Sequence, residues 1–177
     1  MDVNALFKIS YGMYVVTSKM NGRVNGQIAN TFIQVTAEPL MVAVCINKLN
    51  LTHEFIEKSR VFAVSILSED TPLQFIGRFG FKTGRTFNKF EGVNFRVGVT
   101  GAPIILENTI AYVEAEVVKE CDIKTHTMFI GKVVDAGMIK EGEPMTYAYY
   151  HTVKKGKTPK AASTYVGEQP PTNPYHT

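Results

Sequence analysis

Cysteine is scarce in this sequence. The chain has 177 residues and only two cysteines, Cys45 and Cys121, each inside an apolar or alternating run. They form no Cys-x-x-Cys pair, so a zinc ribbon, a thioredoxin-type redox pair and a cysteine-ligated iron–sulfur cluster all lack their ligands. No metal site is predicted. Two reduced, buried thiols are typical of a cytoplasmic protein.

Long hydrophobic runs and one-sided charge are also missing. The longest unbroken apolar run, residues 40–46, is too short to cross a bilayer, and the first ten residues lack the basic and apolar regions of a signal peptide. The net charge is +3, with lysine and arginine scattered along the chain, which disfavours nucleic acid as a partner. Neither a GxGxxG nor a GxxxxGK[ST] motif is present. We expect a soluble, cytoplasmic protein with no membrane or nucleic-acid partner.

The first half of the chain contains a series of short β-type segments. Asn21-Gly22 is a strong hairpin signal, because a type I′ turn needs positive φ at both central positions. The β character continues through residues 23–31 and 33–46, with a break at Glu38-Pro39. The apolar run 61–67 predicts a strand that is buried on both faces.

Four further strands are predicted in the second half, two short ones at residues 94–99 and 104–106, joined by a turn at 101–103, and two longer ones. Residues 109–120 alternate, so one face of the strand is expected to be buried and the other, which carries Glu114, to be exposed. Residues 126–139 would form the returning strand. Gly131 and Gly137 are candidate bulges or bends within it.

Two short helices are predicted between these strands. Thr52 is a suitable cap for a helix over residues 53–58. Asp70-Thr71-Pro72 supplies a cap and a first-turn proline for a helix over residues 73–79, and residues 80–92 are predicted to form an ordered basic loop.

Many short strands with two early helices predict a mainly β fold, an antiparallel barrel with peripheral short helices. The length suits one domain with its own core. We place this domain at residues 1–166, and residues 167–177 are predicted to be a proline-rich tail.

A polar elbow between the β-type stretch that ends at residue 46 and the helix predicted over residues 53–58 is the candidate phosphate site. Asn47, Lys48, Asn50 and Thr52 are grouped before a helix whose free N–H groups and dipole favour an anion. The alternative interpretation is purely structural, with Thr52 as a helix cap and Lys48 as a solvated turn residue.

The stretch Ala29-Asn30-Thr31-Phe32 is the candidate site for a flat ring. Asn30 and Thr31 lie in an otherwise apolar strand, where buried polar side chains cost free energy unless they form hydrogen bonds. A ligand edge would satisfy them, as would backbone groups at a barrel corner. Backbone groups at Gln27 and Ala29 are further candidate contacts.

These residues, taken with others along the chain, resemble the flavin reductase-like family over residues 8–165. The resemblance is carried by Asn21-Gly22, residues 29–32, residues 38–44, Asn47-Lys48, Thr52, residues 61–68, Thr125-His126, residues 129–133 and Tyr150-His151. The loop 80–85 and the segment 151–165 are most similar to the branch of flavoredoxins, archaeal ferric reductases and rubredoxin-linked flavin domains. The cysteines of a rubredoxin are missing here.

The resemblance implies an FMN-binding split β-barrel of antiparallel, Greek-key type. It further implies an NAD(P)H-dependent FMN oxidoreductase, in which NADH or NADPH reduces FMN at a homodimer interface and electrons pass to a small-molecule or protein acceptor. Two alternatives stay open, an electron carrier without a nicotinamide site and a non-catalytic flavin-binding module. Nucleic-acid binding through the basic loop 151–160 is disfavoured.

The resemblance also assigns roles to individual residues. His126 is the candidate catalytic residue. The family motif is Gly-Asp-His, whereas Lys124-Thr125 precede His126 here, so its acidic partner is missing and a structural strand histidine is the alternative. For Lys82, Arg85 and Lys157 the alternative is solvated surface charge. The candidate cofactor-binding residues are Gln27, Ala29, Asn30, Thr31, Phe32, Asn47, Lys48, Asn50, Thr52, Lys82, Arg85, His151 and Lys157.

Overall fold

The computed structural model describes residues 1–165, so the predicted tail at 167–177 lies outside the described residues and the boundary at 166 stays a prediction. No helix within residues 1–165 is long and apolar enough to cross a membrane. The strands are β1 (Tyr14–Met20), β2 (Arg23–Ala29), β3 (Phe32–Ala37), β4 (Leu40–Asn47), β5 (Val61–Leu67), β6 (Phe95–Val97), β7 (Pro103–Ile105), β8 (Thr109–Ile123) and β9 (His126–Met138). The helices are α1 (Leu51–Ser59), α2 (Leu73–Phe81) and α3 (Tyr147–Thr152), preceded by a 3-10 helix (Val3–Lys8).

The predicted hairpin and strand break are both present. Asn21 and Gly22 have φ of 50° and 74°, the positive values that a type I′ turn needs, and they join β1 to β2 in antiparallel register. Glu38-Pro39 separates β3 from β4, and β5 is buried along most of its length, as predicted. These predictions are confirmed.

The long sheet curls into a barrel because its two outer strands are consecutive in the chain. Seven strands pair in the order β2-β1-β5-β8-β9-β4-β3, and β6 and β7 form a second, two-stranded sheet. Only Asn30 and Thr31 connect β2 to β3, so the opposite edges of the sheet are drawn together. The predicted mainly β, antiparallel barrel is confirmed.

Two apolar clusters hold this barrel and its helices together. Val16, Phe62 and Phe129 are fully buried in the barrel interior. A second cluster, which includes Phe79 and Tyr150, packs α2 and α3 against the outside of the barrel. Burial of apolar surface on this scale is the main stabilising contribution to the fold. The second cluster also fixes the cleft described below.

The helix N-caps differ from the predictions by one or two residues, and only α1 starts at a residue other than the predicted one. Asn50 is the N-cap of α1 and Thr52 lies inside the helix, because the Thr52 hydroxyl accepts a hydrogen bond from Asn25 instead. Pro72 is itself the N-cap of α2. The Thr71 hydroxyl does not cap that helix, since it donates to the carbonyls of Ser68 and Asn108. Helix α2 also extends to Phe81, into the predicted loop.

The long β8–β9 ribbon has two bulges whose extra residues are not the predicted glycines, although one of them, at Val118 of β8, lies directly opposite Gly131. Glu114 pairs with Asp135 and Ala115 with Val133, which leaves Val134 as the extra residue. Gly131 and Gly137 instead lie beneath aromatic rings. A Cβ would come within 2.9 Å of the Phe62 ring at Gly131 and within 2.8 Å of the Tyr112 ring at Gly137. Close packing against a ring is therefore the reason for a glycine at each position.

The prediction of an exposed Glu114 is wrong. This side chain is fully buried, because the small β6–β7 sheet covers that face of β8. Its carboxylate accepts hydrogen bonds from the backbone N–H groups of Val99 and Thr100, both at 3.0 Å, and from the Thr100 hydroxyl at 2.6 Å. The turn between β6 and β7 thus provides the hydrogen-bond donors for this buried carboxylate, although the turn and Glu114 are about fifteen residues apart in the sequence.

Candidate functional site

A cleft runs between the barrel wall and the C-terminal segment Gly156–Thr164, which we call the strap. It consists of two joined cavities that share Gln27, Ile28, Gly80, Phe81, Pro159, Ala161 and Ala162. The wider cavity, of about 310 Å³, lies at the start of α1, and we call it the basic end. The smaller cavity, of about 40 Å³, lies over β2 and β4, and we call it the narrow end.

The basic end combines a helix N-terminus with positive charge. Asn50, the N-cap of α1, makes no capping hydrogen bond with its side chain, so the first N–H groups of the helix are not satisfied in that way. Lys82, Lys89 and Lys160 line the same cavity, and Lys157 lines the narrow end. Among the lining residues that the structure describes, none is aspartate or glutamate. The cleft is therefore suited to an anion.

Lys89 is the residue at the basic end that sequence reasoning missed. Its side chain is only 5% exposed. The ammonium group donates hydrogen bonds to the carbonyls of Gly26, at 2.9 Å, and Phe79, at 3.1 Å. Burial lowers the pKa of Lys89 to about 8, because a desolvated ammonium ion is disfavoured. No carboxylate partner is seen within residues 1–165. No periodic pattern around residue 89 indicates this burial, and the neighbouring Phe90 is the one apolar signal beside it.

Thr52 connects the basic end to the barrel. The Thr52 side chain is buried, and its hydroxyl accepts a hydrogen bond of 2.8 Å from the Asn25 amide. Asn25 and Asn50 also line the basic end. Of the four residues of the predicted elbow, Asn50 and Thr52 line the basic end, where the loop residue Lys82 joins them. Asn47 lines the narrow end instead.

The wall of the narrow end, which contains both apolar and polar side chains, has an unsatisfied polar atom. Gln27 Oε1 is buried and has no hydrogen-bond partner within residues 1–165. Ala29, Asn30 and Asn47 line the same cavity, with Cys45 beside them. A buried carbonyl oxygen without a donor costs free energy, so a ligand N–H placed here would be stabilised.

Hydroxyl groups of the strap form hydrogen bonds with the polar side chains of the β2–β3 connection. Asn30 Nδ2 donates to Thr164 Oγ1 at 2.8 Å, and the Thr31 and Ser163 hydroxyls lie 2.6 Å apart. The predicted need of Asn30 and Thr31 for polar partners is therefore met, in this chain, by the strap.

Three predicted site residues point away from the cleft. The Phe32 ring packs edge-on against Tyr14, with 5.1 Å between the ring centroids. Lys48 Nζ lies 2.7 Å from Asp122 Oδ2, and Arg85 forms an ion pair with Glu54. None of the three lines either cavity as the structure describes them. Each finds a partner that is distant in sequence.

The two predicted histidines lie near the cleft rather than in its walls. His151 is buried, with Nδ1 donating to the Gly156 carbonyl at 3.0 Å, and burial lowers the pKa of its imidazole. His126 pairs across β4–β9 with Asn47, which lines the narrow end. Its Nδ1 lies 2.9 Å from Thr125 Oγ1, and its Nε2 is buried without a partner in the described part of the chain. A ligand-contact role for His126 stays a prediction.

Comparison with known proteins gives a consistent result. The family described as Flavin reductase like domain matches residues 6–156. The chain is 53% identical to a ferric-chelate reductase (NAD(P)H) of Archaeoglobus fulgidus, covering 93% of this chain and 98% of that one. It is 50% identical to a high molecular weight rubredoxin of Moorella thermoacetica, covering 93% and 72%. Its fold matches the NADH:FAD oxidoreductase SgcE6 of Streptomyces globisporus with a TM-score of 0.73 and 26% identity, covering 81% and 84%.

Proposed function

The chain belongs to the flavin reductase-like family and is an NAD(P)H-dependent flavin oxidoreductase, and from this premise we propose that its flavin is FMN, held in the cleft between barrel and strap. We propose the basic end as the phosphate site and the narrow end as the ring site. The acceptor we propose is a ferric chelate or a small redox protein, by analogy with the names of the two relatives. We place the reaction in the cytoplasm, in keeping with two free cysteines.

The distribution of charge along the cleft carries the proposal of FMN. Three of the four lining lysines gather at the basic end, together with the start of α1. A ligand with one terminal phosphate group matches a cleft whose charge is concentrated at one end. The other end offers Gln27 Oε1 as an acceptor for an N–H group on the edge of a flat ring.

The residues of the chain bind and orient, while the cofactor supplies the redox chemistry. When bound, the flavin would supply the capacity to take up a hydride from NAD(P)H and to transfer electrons to the acceptor. Lys89, Thr52 and the first N–H groups of α1 would hold the phosphate. Gln27 would fix the ring edge, and the strap would exclude water from one side of the cleft. His126 is proposed as a contact to the reacting ligands rather than as an acid, since its neighbour is the Thr125 hydroxyl.

The absorption spectrum of the purified protein tests this function. We expect flavin bands in the visible region, or their appearance with quenched fluorescence when FMN is added. Anaerobic mixing with NADH or NADPH should bleach these bands within seconds, and a ferric chelate should restore them. Colourless protein that does not quench FMN fluorescence would contradict the proposed site. Bound flavin that is never bleached by either nucleotide would favour the electron-carrier alternative.

We also propose that the chain forms a homodimer through β3. Five of the six residues in this strand are exposed, and Ile33 and Val35 are 55% and 45% exposed. Exposed apolar side chains on one strand are typical of an association surface. Sedimentation velocity should show a dimer, and the Ile33→Glu substitution should shift it towards monomer. A wild-type monomer at micromolar concentration would refute the proposal.

A further inference from the structure

The strap forms one complete wall of the cleft. At the narrow end it contributes Lys157, Pro159, Ala161, Ala162 and Ser163, and at the basic end Lys160 in addition to three of these. The opposite wall consists of β2, β4 and the ends of α1 and α2. Any ligand in the cleft would therefore lie between a rigid barrel and this single segment.

The strap is attached to the barrel and helices mainly through side-chain hydrogen bonds. As the structure describes it, no strap residue belongs to a strand or helix, so no ladder of backbone hydrogen bonds ties the strap to the sheet. Its attachments are mainly hydroxyl hydrogen bonds, including Ser163 to Thr31 and Thr164 to Asn30. Segments with few buried apolar contacts open at low free-energy cost.

Tyr150 provides the central attachment. Its hydroxyl donates to the Lys157 carbonyl at 2.9 Å and accepts from the Lys157 N–H at 3.1 Å, so one side chain satisfies both backbone groups of a strap residue. The Tyr150 ring is 3% exposed and is fixed in the core with α2 and α3. Gly156 lies directly against this ring, since a Cβ there would be 2.0 Å from it. The rigid core thus determines where the strap begins its path over the cleft.

We propose that Tyr150 is a positioning residue that latches the strap, and that this latch sets how long the flavin stays bound. The inference rests on the proposed flavin site in the cleft. When the latch is closed, Lys157 and the wall 159–163 are held against the cleft. When it opens, the ligand loses that wall and can leave. The latch therefore decides whether FMN behaves as a resident cofactor or as an exchanging substrate.

The Tyr150→Phe variant tests the latch, because it removes the hydroxyl and keeps the buried ring. We expect FMN to dissociate about tenfold faster, the change that the loss of one or two hydrogen bonds produces. The association rate should change little. Release is measured by rapid mixing of the loaded protein with an excess flavin scavenger, while the recovery of flavin fluorescence is followed. Trypsin should also cleave after Lys157 and Lys160 faster in the flavin-free variant than in the wild type.

Two further variants separate a latch from a general structural role. Tyr149→Phe is the matched control, since the Tyr149 hydroxyl makes no hydrogen bond within residues 1–165, and its release rate should equal that of the wild type. Gly156→Ala should accelerate release as Tyr150→Phe does, because the new methyl group pushes the strap off the ring. Equal release rates in all four proteins would overturn the latch and leave the flavin site intact. Failure of the wild type to bind FMN would overturn the proposed site itself.

Discussion

Replacement of Lys89 by methionine is expected to weaken FMN binding by about 10- to 100-fold, with little effect on riboflavin. Lys89 is buried at the basic end with no carboxylate partner in the described part of the chain. A hydrogen bond between an ammonium group and a phosphate, formed away from water, contributes about 1.5–3 kcal/mol. Riboflavin lacks the phosphate, so its affinity should not depend on the Lys89 ammonium group. Quenching of flavin fluorescence measures both affinities.

The same substitution should slightly stabilise the flavin-free protein. Lys89 has its pKa lowered to about 8 by burial, so folding with a charged Lys89 costs on the order of 3 kcal/mol at neutral pH. Methionine removes that cost but leaves the Gly26 and Phe79 carbonyls without their donor, and the net gain is about 1 kcal/mol. Lys58→Met, on the exposed face of α1, is the control with the same change of charge. Equal losses of FMN and riboflavin affinity would place the phosphate elsewhere.

The pH dependence of FMN binding follows from the same group. Below pH 8 the Lys89 ammonium is charged and would pair with the phosphate of FMN in the proposed site, while above pH 8 it becomes neutral and that attraction would be lost. FMN affinity should therefore fall as pH rises from 7.5 to 9.5, relative to riboflavin. The flavin-free protein should gain stability over the same range, because the charged form is the one that folding disfavours. Parallel pH curves for the two ligands would exclude Lys89 from the phosphate site.

The parts of the fold that could be predicted are those that local chemistry determines. The turn at Asn21-Gly22, the break at Glu38-Pro39 and the buried run of β5 all follow from a few adjacent residues. The polar elbow was recognisable for the same reason, since Asn50 and Thr52 lie at the start of α1 and line one cavity. Local signals of this kind do not depend on which distant element packs against them.

The parts that could not be predicted depend on contacts between distant residues. Lys48, Arg85 and Lys89 are indistinguishable as basic loop residues in the sequence. Lys48 pairs with Asp122, 74 residues away, and Arg85 with Glu54, 31 residues away. Lys89 is covered by the end of α2 and by β2, and so it alone of the three is buried without a counter-ion in the described part of the chain. Tertiary packing therefore determines which of the three basic residues is buried.

The burial of Glu114 in the alternating strand β8 also depends on contacts between distant residues and could not be predicted from the sequence. The alternation of residues 109–120 correctly identifies two faces, but it cannot show that β6 and β7 cover the second face. The turn between β6 and β7 brings Gly98 so close that a Cβ there would be 2.2 Å from the Glu114 carboxylate. A charged side chain on an outer face is therefore buried by the small sheet rather than exposed to solvent.

Replacement of Glu114 by alanine is expected to reduce the free energy of unfolding by about 3–5 kcal/mol. The substitution leaves the Val99 and Thr100 N–H groups and the Thr100 hydroxyl without their acceptor, and it opens a cavity under the turn. Glu114→Gln keeps the shape and one oxygen acceptor, so it should cost less, about 1–2 kcal/mol. Glu116→Ala, on the same strand but exposed, should stay within about 0.5 kcal/mol of the wild type.

Urea denaturation of the three variants measures these differences. The difference in unfolding free energy between Glu114→Ala and Glu116→Ala isolates the effect of burial, because both variants remove a glutamate side chain from the same strand. If Glu114→Ala is no less stable than Glu116→Ala, the carboxylate does not anchor the β6–β7 turn. If it is destabilised but still binds FMN with wild-type affinity, the small sheet supports the barrel without shaping the cleft on its far side.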